Sequence, residues 1–179
     1  MTGPVLVLVG PPTSGKTTIG RAVAKALGLP FRDTDADIEA TAGARVADIF
    51  VDSGEAHFRQ LEEAAVSRAL AEHAGVLALG GGAVLSDATR ALLVAHGRAG
   101  GAVVRLDVDL ATAARRAGFN RDRPLLAVNP RAMLRTMLEA RDPLYAEVAT
   151  ATVQTGDRPS EQVVAEVLAA LPASTGTVR

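Results

Sequence analysis

Short apolar runs alternate along the chain with longer stretches of helical spacing. Val5-Leu6-Val7-Leu8-Val9 is a continuous apolar run, the pattern of a buried strand, and residues 18–27 carry the periodicity of the helix that follows it. Gly28 is placed to cap that helix, and residues 29–33 form a short second extended segment. Helical stretches are expected at about 36–42, 46–51 and 55–73. A compact strand over 76–79 stops abruptly at Gly80-Gly81-Gly82, and a helix over 87–96 leads to a fourth strand over 102–106. Asp109 is positioned to cap a helix over 110–117. Residues 118–129 begin polar and read as a mobile loop, and 131–149 are mostly helical with an interruption near Pro143. A last strand covers 151–155, Pro159 starts a final helix ending near Leu171, and a frayed tail follows from 172. Five strands alternating with helices predict an α/β fold: a parallel sheet covered on both faces, in three layers, with ligands at the carboxyl ends of the strands.

Composition narrows the possibilities. At 179 residues the chain is expected to form a single domain over 1–179, long enough to bury a proper core. A net charge of −1 gives no bulk attraction to nucleic acid or to an anionic membrane, so neither is expected as a partner. The absence of cysteine excludes disulfides and thiolate metal sites, and it suits a reducing, cytoplasmic location. No segment reaches transmembrane length, and the apolar start lacks a basic leader. All but two of the 19 basic residues are Arg, which warns against reading every Arg as a phosphate ligand.

Chemistry concentrates at the predicted strand ends. Gly10 to Thr17 read GPPTSGKT and fill every fixed position of G-x-x-x-x-G-K-[ST], between a strand and a helix. Backbone N–H groups and the helix dipole make this P-loop an anion site. Lys16 would reach the β/γ-phosphates of a nucleotide, and the Thr17 hydroxyl would ligate Mg²⁺. Thr13 departs from the glycine common at its place and must accept a backbone shape that glycine takes more readily. Asp33 and Asp35 follow the second strand two apart; an extended stretch would turn both toward the P-loop, whereas a helix start would use them as N-terminal acids. Gly80, Gly81 and Gly82 permit close approach of a ligand to bare backbone. Arg59 has Glu62 at i+3, Arg123 stands on the predicted loop, and Arg141 stands at the predicted helix break. Together they suggest a small acidic substrate held for phosphoryl transfer. The loop at 118–129 has few apolar anchors before Leu125-Leu126 and is expected to act as a lid that closes when both ligands bind.

These segments resemble the shikimate kinase family. GPPTSGKTTIG, Asp33-Thr34-Asp35, FRQLE at 58–62, GGGA at 80–83, RPLL at 123–126 and RDPLY at 141–145 stand in the family's order across almost the whole chain. The resemblance implies a P-loop kinase fold similar to nucleoside monophosphate kinases, strand order 2-3-1-4-5, with substrate-binding helices at about 33–62. It implies ATP-dependent phosphorylation of the shikimate 3-hydroxyl in the chorismate pathway, with Mg²⁺ as cofactor, and a monomer is expected. Carried over by position, Thr13, Ser14, Gly15, Lys16, Thr17 and Thr18 hold the ATP phosphates. Thr17 binds the metal, and Asp33 assists it through water. Asp35 contacts the substrate hydroxyls and acts as base, Arg59 and Arg141 clamp the carboxylate, and the glycine run supplies the Gly81 N–H. Arg123 comes in from the lid, while Arg116, Arg158 and Pro159 match the adenine-side contacts. Two other readings stay open: another small-molecule kinase on the same fold, such as one for gluconate, and a non-catalytic nucleotide-binding module.

Overall fold

The computed structural model describes residues 3–118 and 129–173. Its elements are β1 (Leu6–Val9), α1 (Lys16–Leu27), β2 (Phe31–Asp33), α2 (Thr34–Ala42), α3 (Val46–Glu72), β3 (Val76–Ala78), α4 (Asp87–Arg98), β4 (Ala102–Asp107), α5 (Leu110–Arg116), α6 (Pro130–Val148), β5 (Ala151–Gln154) and α7 (Ser160–Ala169), with one 3₁₀ turn at Ala83–Leu85. The five strands form one sheet, all neighbours parallel, in the order β2-β3-β1-β4-β5. That is the expected order. Among the described residues no helix is long and apolar enough to cross a membrane.

Alternation within the apolar strands builds two cores. Leu6 and Leu8 of β1 face one side, where they join Val104 and Leu106 of β4 with Ile19 and Val23 of α1 and Val163 and Val167 of α7. Val7 and Val9 face the other side, against Val66 of α3, Leu93 of α4 and Tyr145 and Val148 of α6. Burial on both faces is why these strands read as unbroken apolar runs rather than as alternating ones. A third, smaller cluster of Ile38, Ile49, Phe58 and Ala65 joins α2 to α3, with the Phe50 and Phe58 rings 4.5 Å apart.

Two local expectations change and one holds. The stretches read as two helices, 46–51 and 55–73, are divided at Gly54, whose φ of 81° and ψ of 165° no helix adopts, within the span given above as α3. The break predicted at Pro143 is absent, and α6 continues through it. Proline removes one N–H, but the side chains on either side are tied down. Asp142 bonds Arg105, and Tyr145 bonds Gly81. Finally, Asp33 and Asp35 do not share an extended stretch. Asp33 is the N-cap of α2, its carboxylate accepting from the Asp35 N–H at 3.1 Å, and Asp35 lies in the first turn. The lid expectation, with Arg123, falls on 119–128, and most of the tail falls on 174–179; both lie outside the described residues.

Candidate active site

β1 ends in the P-loop, and the loop's geometry follows from its residues. Gly10 has φ 143°, and a side chain there would run into the Leu106 carbonyl of β4, so only glycine lets the loop leave the sheet at this point. Gly15 takes φ 92° and hands the chain to α1. Thr13 has φ 66°, the left-handed conformation anticipated for it, and its hydroxyl is buried without a partner among the described residues. Arg116 of α5 donates to the Thr13 carbonyl at 3.1 Å and to the Gly156 carbonyl at 2.6 Å, holding the strained loop from the far side.

Lys16 folds over its own loop, donating to the carbonyls of Gly10 and Pro11 at 2.8 Å each. Burial lowers its pKa to about 8 against the attraction of Asp35 and Asp33. Asp33 uses its second oxygen to accept from the Thr17 hydroxyl at 2.8 Å. Asp35 is different. One of its oxygens is buried with no hydrogen-bond partner among the described residues. Burial, followed by the negative charges of Asp33 and Glu62, raises its pKa to about 6. The Asp pair is therefore both a helix start and a wall of the phosphate site. A cavity of about 660 Å³ is lined by the P-loop, Asp33, Asp35, Gly81, Arg116 and Arg158 among others. Pro159, between Arg158 and Ser160 on that wall, is the N-cap of α7.

The glycine run joins this cavity to the arginines. The Gly80 N–H is taken by the Thr34 hydroxyl at 3.1 Å, and a side chain on Gly80 would come within 2.6 Å of both Asp35 Oδ1 and Glu62 Oε1. Gly81 lies against Pro12 of the P-loop, and its carbonyl accepts from Arg141 at 3.2 Å and Tyr145 at 2.6 Å. A side chain on Gly82 would collide with the Arg59 guanidinium. Arg59 itself is held by Glu62 at 2.5 Å and Glu55 at 3.0 Å, its guanidinium 5.3 Å from the Phe58 ring centroid. It opens on a neighbouring groove of about 630 Å³ rather than on the phosphate cavity. Glu62 is only 2% exposed, so its pair with Arg59 is no solvated surface pair; burial raises the Glu62 pKa, and Arg59 opposes the rise.

Sequence reasoning missed Tyr145, Thr34 and Glu55, which position the glycine run and Arg59. The signals available were that Tyr145 is the chain's single tyrosine and closes the RDPLY segment, and that Thr34 stands between the two aspartates.

A phosphate-binding loop with its lysine, two carboxylates facing it and a glycine run that connects it to Arg59 and Arg141 define a P-loop kinase. The model of the family described as shikimate kinase matches residues 12–172. A shikimate kinase from Salinispora tropica is 62% identical over 169 residues, 94% of this chain and 98% of its own. Among solved structures, shikimate kinase from Acinetobacter baumannii in complex with shikimate superposes with a TM-score of 0.82 at 37% identity, covering 94% of this chain and 92% of that one. A gluconokinase from Sinorhizobium meliloti shares the fold less closely, with a TM-score of 0.60 at 26% identity over 94% and 91% of the two chains. The chain belongs to the shikimate kinase family, and it is a transferase, an ATP-dependent kinase of the shikimate pathway.

Proposed function

We propose that this chain transfers the γ-phosphoryl group of ATP to the 3-hydroxyl of shikimate, with Asp35 as the base. The observation that carries the assignment is the Asp35 carboxylate, buried on one oxygen without a partner beside the P-loop lysine. A pKa near 6 leaves it charged at neutral pH and well matched to accept a proton from an alcohol. As the substrate oxygen attacks phosphorus, its proton passes to Asp35, and the bond to the oxygen bridging the β and γ phosphates breaks to release ADP.

Lys16 neutralises charge on the β and γ phosphates, leaving the loop carbonyls it holds here. Arg59, beside Gly82, and Arg141, on the Gly81 carbonyl, grip the substrate carboxylate, and Arg123, outside the described residues, would neutralise charge on the transferring phosphoryl group. Arg116, Arg158 and Pro159 flank the nucleotide base.

A magnesium ion fits the oxygen donors present: the Thr17 hydroxyl and Asp33 carboxylate form a hard-ligand pair, and no cluster of three metal-binding side chains exists among the described residues. Thr17 and, through water, Asp33 would hold it, and it would supply positive charge to the nucleotide phosphates.

ADP release is the test. Turnover should require shikimate and fall to background with gluconate or with no acceptor. Equal turnover without an acceptor, or with gluconate in place of shikimate, would overturn the assignment.

A further inference from the structure

β4 reads AVVRLD, and its residues are buried except at Arg105 and Asp107. A guanidinium inside a parallel strand is costly unless it is paired, and nothing in the packing of the two cores asks for one here. Arg105 is 12% exposed and stands beside Val9, the last residue before the P-loop. Its Nη2 donates to Asp107 at 2.7 Å and to Asp142 at 2.6 Å, and its guanidinium lies 5.6 Å from the centroid of the Tyr145 ring.

Both of these α6 contacts lead to the substrate side. Asp142 is the residue after Arg141. Arg141 and Tyr145 converge on one acceptor, the Gly81 carbonyl. Pro143 lies between them, so α6 lacks a backbone hydrogen bond where Arg141 must be aimed. The Arg105–Asp142 bridge fixes that turn to the sheet from outside the helix.

We infer that Arg105 and Asp142 together are positioning residues for substrate recognition, setting Arg141 and the Gly81 carbonyl relative to the sheet that carries the P-loop. The inference rests on the reading of Arg141 as a ligand of the substrate carboxylate. An ion pair with one partner 61% exposed adds little to stability, so loss of the bridge is felt in aim rather than in folding.

Steady-state kinetics of R105M, D142N, the double variant and R141K test this, with a thermal melt of each. R105M and D142N should each raise the KM for shikimate about fivefold, and the double variant no further, because both remove one interaction. The KM for ATP and kcat should stay within about twofold. R105K should recover part of the loss, since an ammonium can reach one carboxylate but not hold the planar bridge. D142N, nearly isosteric and on the surface, carries the test if R105M fails to fold. An unchanged shikimate KM in D142N and R105M, beside a raised one in R141K, overturns the inference and leaves the carboxylate clamp standing. Equal rises in both KM values mean a merely structural bridge and overturn it as well. If R141K itself leaves the shikimate KM unchanged, the clamp reading fails and this inference falls with it.

Discussion

The nucleotide side of the cleft and the acidic-substrate side are built by different means. Around the phosphates the groups that matter are contiguous: Gly10 to Thr18 supply the amides, the lysine and the hydroxyl, and β1 and α1 hold them from either end. On the other side Arg59, Gly80 to Gly82 and Arg141 come from three distant segments and meet only because β3, α3 and α6 pack together. The first site is made of backbone, which a short motif specifies. The second sets two long side chains around a glycine backbone, each aimed by a partner: Glu62 and Glu55 for Arg59, Gly81 for Arg141. Damage to the first should therefore strike the chemistry, and damage to the second should strike recognition.

Lys16→Ala is expected to do the most, lowering kcat by about 10³-fold or more while the protein remains folded, because it removes phosphate charge and little packing. A melt and an ADP-release assay check both halves. A folded variant with near-normal turnover would break the distinction at its strongest point.

Asp35→Asn comes next, with kcat reduced about 10²- to 10⁴-fold, the range for loss of a general base, and shikimate KM changed far less. Wild-type kcat/KM, which reports the unliganded enzyme, should fall as pH drops through about 6, the pKa of this carboxyl, and the variant should lack that limb. Stability gives the opposite sign. A carboxyl raised from 3.8 to about 6 contributes stability below pH 3.8 that is lost as pH rises through 6. The Asn variant escapes that loss, so at pH 8 it should melt about 2–4 °C above the wild type, the shift that about 1 kcal/mol gives in a chain of this size. Near pH 4 the two should melt together.

Arg59→Lys separates recognition from chemistry. An ammonium cannot reproduce the fork, so shikimate KM should rise about tenfold with ATP KM unchanged. A proportionate rise in both would mean that the two halves of the cleft are not independent.

The smallest effect is expected at Thr13. Glycine in its place relieves the strain of φ 66° and removes a buried hydroxyl without a partner, offset in part by the greater freedom of glycine in the unfolded chain. Thr13→Gly should raise the melting temperature by about 1 °C, a gain of about 0.3–0.5 kcal/mol, and leave both KM values unchanged.

Much of this was written locally. The P-loop, the Gly28 cap, the Asp109 cap and the five strand segments rest on interactions within a few residues, and each stands where the pattern put it. The apolar runs could not say which core each side chain would enter. β1 sends Leu6 and Leu8 one way and Val7 and Val9 the other, a division visible only once helices cover both faces. Asp33 and Asp35 show a local alternative decided at a distance: either an extended segment or a helix start fits Asp-Thr-Asp. The Asp33 cap and the bond from Gly80 N–H to Thr34 select the helix. At Pro143 the local rule predicted a break, and contacts from β4 and the glycine run keep α6 whole.

The sequence by itself determined the phosphate loop, the alternation of strand and helix, and the residue types available to an acidic substrate. Turn chemistry, capping and hydrophobic period act over one to five residues and need no knowledge of the rest of the chain. Only the tertiary structure decided that Glu62 is buried under Arg59, that Tyr145 reaches Gly81 across 64 positions of sequence, and that Arg105 finds Asp142 across 37. Those contacts depend on how the two helical layers settle on the twisted sheet, and no local pattern encodes that distance.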